Sequence, residues 1–274
     1  MKINPLSTIS VVIPTYNGEK TIARAIESVL LQSLRVHEII ISDDCSNDQT
    51  LEIVEGFARQ DKRIRIILTV KNSGGPAQPM NKGVESATGD CIAFLDQDDE
   101  WLPLKLEKQM NKLEELKGEA ITCESYDIYG DKKDQYVYPT FFETDREYAV
   151  LGMVPVHSFS SVLITKSSIV SLGGFDENMK MAIDWDFWIR FTRFQKIIYL
   201  HEPLLNYYLH EDNVSVGNPE LQVVERVYLL GKHRELYQKN LKAYANVLRQ
   251  KGNYLCELNR TNAARQAYIA SIAM

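Results

Sequence analysis

Thr88-Gly-Asp-Cys-Ile-Ala-Phe-Leu-Asp96-Gln-Asp98-Asp99-Glu-Trp101 is the stretch from which the rest of the chain can be understood. Cys91 to Leu95 is a short apolar run of the kind that fills a buried central strand. It stops abruptly at Asp96, Asp98 and Asp99. A buried strand that ends in clustered carboxylates puts negative charge at the carboxyl edge of a sheet, where open α/β sheets bind ligands. Packing like charges together is costly unless something positive neutralises them. Hard oxygen donors suit magnesium or manganese. Two plainer readings compete. An acidic turn favours the positive N-terminus of the helix expected near Pro103. An EF-hand loop would place Asp96, Asp98 and Glu107 at positions one, three and twelve, but Trp101 stands where position six requires glycine.

Upstream, strand and helix patterns alternate. Ile9 to Pro14 is a buried strand, followed by the polar turn Thr15-Tyr-Asn-Gly18. Ile22, Ile26, Val29 and Leu30 mark one face of an amphipathic helix. Glu38 to Ser42 is a second buried strand, ending in Asp43-Asp44-Cys45-Ser46. Ser46 with Gln49 fits a capping box for the next helix. Arg63 to Val70 is a third strand, and Asn72-Ser-Gly-Gly-Pro76 is a glycine-rich turn into a short helix through Met80 and Val84. Such alternation predicts a mostly parallel sheet with right-handed crossovers. Polar loops follow Ile13, Ser42 and Leu95 on one common edge. No G-x-x-x-x-G-K-[ST] loop and no G-x-G-x-x-G turn is present, which excludes a Walker ATPase and the usual dinucleotide binders.

Downstream of a helix ending near Leu116 the alternation breaks. Ala120 to Tyr129 and Gln135 to Tyr138 are expected to pair around a Gly130-Asp131 turn. Val162 to Thr165 is another strand, and Asp184-Trp-Asp-Phe-Trp-Ile-Arg190 opens an aromatic-rich helix. Ile197 to Leu200 and Leu204 to Leu209 are expected as two short strands. From Pro219 the pattern is helical, with a hairpin expected to turn at Gly252-Asn253. We therefore expect a domain over 1–218, with halves of about 7–100 and 101–218, and a helical appendage over 219–274. That appendage would carry no chemistry and would serve packing, homo-oligomer contacts, or an acceptor or membrane partner.

Composition sets further bounds. The 274 residues include 45% hydrophobic ones, ample for a core. Lys+Arg 31 against Asp+Glu 37 gives −6, which argues against non-specific nucleic-acid binding. No apolar run approaches a membrane span, and the N-terminus has no long apolar stretch of the secretory kind. The four cysteines are scattered without a C-x-x-C pair and read as reduced thiols. A cytoplasmic protein is expected, with peripheral contact to the inner face of a membrane compatible with it. The apolar final helix leads us to expect further chain beyond it.

The motifs, taken in order, resemble family-two glycosyltransferases, inverting transferases of the GT-A fold. Ser10-Val-Val-Ile-Pro-Thr-Tyr-Asn17 is similar to the family's first strand and nucleotide loop. Asp43-Asp-Cys-Ser-Asn-Asp48 resembles its Asp-Asp-Gly-Ser-Thr-Asp loop, and Asn72-Ser-Gly-Gly-Pro-Ala77 with Asn81-Lys-Gly83 its Asn-x-Gly … Ala-Arg-Asn segment. Phe94-Leu-Asp-Gln-Asp-Asp99 resembles the Asp-x-Asp motif. Gly173-Gly-Phe-Asp-Glu177 and Asp184-Trp-Asp-Phe-Trp188 are similar to the acceptor-side motif. The resemblance runs from about Ser7 to Ser215. Departures are Cys45 for glycine, Met80 for arginine, Ile183 for an acid and Leu209 for arginine.

What the resemblance implies is a Rossmann-like α/β sheet with flanking helices and a metal-dependent transfer of sugar from a nucleotide sugar, uridine-linked. The acceptor would be a glycan, lipid-linked or protein hydroxyl, in polysaccharide or glycoconjugate synthesis. Asp98 would bind Mn2+ or Mg2+, with Asp99 or Asp96 helping and His210 touching the metal or diphosphate. Asp96 would reach the ribose or the metal. Asp44 would accept a hydrogen bond from the base edge, Pro14, Thr15 and Tyr16 would line the base, and Asn17, Asn72 and Asn81 would complete the nucleotide side. Asp184 would be the general base. Plainer roles stand beside these: a turn aspartate for Asp44, a structural amide for Asn17, an N-cap for Asp184, a structural imidazole for His210, and core packing for Trp185 and Trp188. Asp186 lies two residues on, so only one of the two carboxylates can face a site. A sugar-phosphate nucleotidyltransferase is an alternative, although the glycine-rich basic first loop that grips a triphosphate is missing. A non-catalytic nucleotide-sugar-binding module is another.

Overall fold

In the computed structural model, which describes residues 7–139, 150–210 and 218–273, the N-terminal half alternates strand and helix as its pattern requires. Strands β1 (Ile9–Thr15) and β2 (Glu38–Asp43) are buried along their whole length. Burial on both faces is why they lack polar alternation. Between them α1 (Ile22–Leu30) turns Ile22, Ala25, Ile26 and Val29 to the core. Then come α2 (Thr50–Gln60), β3 (Ile64–Leu68), α3 (Ala77–Ser86) and β4 (Cys91–Phe94). The order β3-β2-β1-β4 is parallel throughout, so all four carboxyl ends share one edge.

The second half adds β5 (Glu100–Trp101), α4 (Lys105–Leu116), β6 (Ala120–Tyr129), β7 (Lys132–Tyr136), a 3-10 turn at Phe159–Ser161, β8 (Val162–Thr165), α5 (Lys166–Ser171), α6 (Ile183–Thr192) and β9 (Ile197–Tyr208). The sheet continues from β4 as β8-β6-β9-β5, with β7 paired to β6. Strand β8 is antiparallel to β4. A strand running against β4 starts where β4 ends, so the turn before β8 lies beside Asp96. The two short strands expected between Ile197 and Leu209 are one strand, whose pairing with β6 slips at Cys123, Glu124 and Ser125. The slip produced the break in the sequence pattern.

Two local expectations are corrected. Ser46 does not cap α2. Its backbone N–H and hydroxyl both donate to Asp43, and its oxygen accepts from Asn17 N at 2.9 Å. Asp48 serves the helix start instead, accepting from Thr50 N at 3.0 Å. Nor is Gly252 a turn. Helix α9 (Leu241–Glu257) runs through it, and the chain reverses just past the helix end at Asn259, whose φ is 56°. A Cβ on Gly252 would sit 2.6 Å from the Tyr268 ring on α10 (Thr261–Ile272), so the glycine allows two helices to approach closely.

The helices expected after Pro219 are present and pack onto the acceptor half. Leu229 of α7 (Pro219–Lys232), Tyr237 of α8 (Arg234–Lys239), and Ala243 and Val247 of α9 belong to one core cluster with Trp185, Phe187 and Trp188. Asn246 and Gln250 both donate to Gly152 O, at 2.7 and 3.0 Å. Cutting the chain near Asn218 would expose that shared core.

Candidate active site

The loops at the carboxyl edge are tied to each other by their own polar side chains. Pro14 and Thr15 are buried within β1, while Tyr16 is 46% exposed. Gln97 clamps Tyr16 from the β4 side, accepting from its N at 2.9 Å and donating to its O at 3.0 Å. Asn17 has a left-handed φ of 48° and accepts from Asn47 N at 2.9 Å, which joins the first loop to the second. Cys45 is left-handed too, φ 66°, the conformation glycine adopts most freely.

Asp44 is buried. One carboxylate oxygen accepts from the Thr69 hydroxyl at 2.9 Å, the other from Ser73 N and Oγ at 2.8 Å each. Asn72 donates to Asp44 O at 3.0 Å and accepts from Gly74 N at 2.9 Å. Asn81 lies apart from these loops: its amide brackets Phe175, accepting from Phe175 N at 2.8 Å and donating to its O at 2.9 Å. Gly174, φ +74°, is needed there because a Cβ would fall 2.5 Å from Asn81 Oδ1. Of the residues expected to touch nucleotide, Tyr16 therefore offers an open ring face, Asp44, Asn17 and Asn72 build the loops, and Asn81 joins α3 to the acceptor half.

At the end of β4 the acids take three different positions. Asp96 is half-buried, its N donates to Ser160 Oγ at 2.9 Å, and Ser158 donates to its carboxylate at 3.3 Å. Burial, then the neighbouring Asp98 and more weakly Asp184, push its carboxyl up to about 7. Asp98 meets His210 Nε2 at 2.7 Å. Arg24 of α1 donates to Asp98 O and lies 3.6 Å over the Tyr208 ring. Asp99 turns inward, 0% exposed, with one oxygen accepting from Tyr208 N at 3.1 Å and the other unpartnered among the described residues. Burial and the charges of Asp96 and Asp98 raise its carboxyl well above the usual range.

This arrangement fits a divalent ion in part. Among the described residues no three His, Cys, Asp or Glu side chains converge as a metal cage. Asp98 and His210 do converge, and the crowding that raises the carboxyls of Asp96 and Asp99 is the kind a cation would relieve. One or two protein donors suffice for ions that complete their shell with phosphate and water. Asp99 stands apart from that pair, turned inward with one oxygen on Tyr208 N. The segment after His210, which the resemblance included up to Ser215, lies outside the described residues.

Asp184 stands in the first turn of α6, half-buried, and accepts from Trp185 N at 2.7 Å. Burial is the main cause that pushes its carboxyl up to about 6. Phe159 stacks on Trp188 of α6 and meets Phe94 of β4, so α6 packs towards the end of β4, and the charge of Asp184 is felt by Asp96. Asp186 faces the other way, 0% exposed, with Arg190 Nε at 2.9 Å, His233 Nε2 at 2.8 Å and Lys232 Nζ at 2.8 Å. Burial alone would raise its carboxyl, but His233, Lys232 and Arg190 hold it at about 2. Removing one partner of a buried ion pair strands the others, so Asp186→Ala should cost about 3 kcal/mol in urea unfolding near neutral pH. That contribution is full above roughly pH 4 and is lost as pH falls towards 2, because the folded-state carboxyl is depressed. An unchanged urea midpoint would show the cluster to be dispensable. Trp185 and Trp188 are core residues, with Trp185 Nε1 donating to Val150 O at 2.7 Å.

Sequence reasoning missed Gln97, Ser158, Ser160 and Arg24. The hydroxyl-rich run Ser158-Phe-Ser-Ser161 just before a buried strand was the available signal for the serines. Arg24 carried none, being one cation on an ordinary helix.

Residues 10–173 match the family model described as glycosyl transferase family 2. An uncharacterized glycosyltransferase of Rickettsia typhi is 32% identical over 222 residues, covering 77% of this chain and 67% of that protein. The S. aureus TarS 1–349 structure in complex with UDP-GlcNAc superposes with a TM-score of 0.68 at 19% identity, over 96% of this chain and 89% of that one. The mannosyltransferase PcManGT from Pyrobaculum calidifontis, in complex with GDP-Man and Mn2+, gives 0.67 at 17% identity, over 97% and 75%. Those likenesses place the fold among GT-A glycosyltransferases. With the family model matched from β1 into the acceptor half, the chain belongs to glycosyl transferase family 2.

Proposed function

We propose that this chain transfers a sugar from a nucleoside-diphosphate sugar to an acceptor hydroxyl, with inversion at the anomeric carbon and a divalent metal. What supports the proposal is Asp184, a half-buried carboxylate of raised proton affinity whose charge is felt by Asp96 at the end of β4. A carboxylate near 6 can take a proton from a hydroxyl as it attacks, the usual task of a general base. The acceptor oxygen forms its bond to the anomeric carbon while the bond to the diphosphate oxygen breaks, and the proton passes to Asp184. One displacement with one base leaves the configuration inverted. Asp98 and His210 would hold Mn2+ or Mg2+, which when bound supplies positive charge to the leaving diphosphate. Arg24 adds fixed positive charge at the same end.

Asp44 Oδ1 accepts one protein hydrogen bond and keeps a lone pair for a base N–H, which suits a uridine base and equally a guanine. Structural neighbours in complex with UDP-GlcNAc and with GDP-Man support a nucleotide-sugar donor and leave the sugar open. Among the described residues no helix is long and apolar enough to cross a membrane. Glycan, lipid-linked and protein hydroxyls all fit as acceptors, and peripheral membrane contact belongs to the same reading.

The test is incubation of the whole chain with labelled UDP- and GDP-sugars plus manganese. Release of nucleoside diphosphate, abolished by chelator, is the expected result. Pyrophosphate release from a nucleoside triphosphate and sugar phosphate would mean nucleotidyltransfer instead. Binding without turnover of any donor would leave a binding module.

A further inference from the structure

Helix α7 reaches the candidate base from behind. Glu225 is 3% exposed, and its two carboxylate oxygens accept three consecutive backbone N–H groups: Lys180, Met181 at 2.9 Å and Ala182 at 2.7 Å. Those residues directly precede α6, and Ala182, at its N-cap, has no side chain able to cap. A carboxylate at that point satisfies orphan donors and faces the positive end of the helix. Seven residues further along α7, on the same face, Lys232 and the following His233 hold Asp186. Asp184 thus lies between two anchor points supplied by one neighbouring segment. On the opposite side Lys180 Nζ donates to Ser73 O at 2.7 Å, tying the same residues to the loop that holds Asp44.

We propose that Glu225 is a positioning residue for transfer: by accepting the N–H groups of residues 180 to 182 it sets the first turn of α6 so that Asp184 faces the acidic end of β4. This rests on Asp184 being the base. It also gives the helical region after Pro219 a part in the chemistry. Burial of Glu225 excludes water from substituting for the lost acceptor, and a side-chain amide in its place would turn donors towards donors.

The test compares Glu225→Gln with Leu229→Ala, which cuts a cavity under the same helix but leaves the three hydrogen bonds of Glu225 in place. Both should lower the melting temperature. Glu225→Gln should also lower kcat about tenfold with donor KM within twofold, because donor contacts lie on other elements. Leu229→Ala should keep kcat within twofold per folded molecule. Glu220→Gln, at the exposed pair with Arg260, should change neither. If Glu225→Gln keeps full kcat, or if Leu229→Ala loses as much, the positioning role is overturned. Should Glu225→Gln not fold, Glu225→Asp keeps the charge, is one methylene short, and faces the same criterion. The two readings fail separately: full activity in Asp184→Asn removes the base itself, whereas an inactive Asp184→Asn beside a fully active Glu225→Gln removes only the positioning.

Discussion

Asp184→Asn is expected to leave donor binding within a few-fold and to lower transfer by about a hundred-fold or more. Asparagine keeps the shape of the side chain and can still accept from Trp185 N, the contact that anchors Asp184 Oδ1. What it cannot do is take a proton. Donor binding should persist because the nucleotide loops, the β4 acids and His210 all lie on other elements. The pH profile gives a second readout. Burial raises the Asp184 carboxyl to about 6, and the base must be ionised to act, so kcat should fall as pH drops below about 6. A bound cation nearby would move that limb lower. The limb attributable to Asp184 should vanish in Asp184→Asn, whose residual rate no longer depends on that proton. Full transfer activity in the variant, or a product that keeps the donor's anomeric configuration by proton NMR, would show that another mechanism operates.

How far the site was legible in the sequence depended on whether a residue's job was local. The buried strands were legible because apolar runs ended by Pro14, Asp43 and Asp96 have few alternative readings. Asp98 and His210 were placed by motif order, and the structure brings them to 2.7 Å. The resemblance made Asp98 the direct ligand and Asp99 a helper, but nothing local said where either carboxylate would point. The backbone at β9 decides that one faces His210 and the other takes Tyr208 N. Asn81 was expected on the nucleotide side from its motif, and nothing local announced that its amide would bracket Phe175, far along the chain.

The C-terminal helices show the same limit from the other side. Helical spacing announced them, but nothing local announces that Glu225 will meet residues 180 to 182. Long-range packing made that pairing, as it made the cluster of Leu229 and Val247 with Trp188. Cys45 is a middle case. It stands where glycine is usual in the family pattern. The structure keeps the left-handed backbone that glycine would adopt and lets the thiol donate to Thr69 O at 3.4 Å.

Asp98→Asn is expected to weaken metal-dependent binding of a nucleoside diphosphate by about tenfold to a hundredfold, that is, by about 1.4 to 2.8 kcal/mol. An amide oxygen can still approach a cation but brings no negative charge, and His210 loses the carboxylate it now meets at 2.7 Å. The fold should not suffer. Arg24 donates to the backbone oxygen of Asp98, not to its carboxylate, so that anchor survives the substitution. Asp98 is also one of the charges that push the carboxyls of Asp96 and Asp99 upward, so removing it relieves repulsion in the metal-free protein. The metal-free variant should therefore melt at the same temperature as the parent or slightly above it. Adding manganese and uridine diphosphate together should stabilise the parent strongly and the variant little, since a ligand that binds only the folded state raises apparent stability by mass action. A variant that binds both ligands as tightly as the parent in calorimetry would remove Asp98 from the metal site. One that binds neither and melts far lower would mean that the carboxylate was holding the fold, contrary to the repulsion its neighbours record.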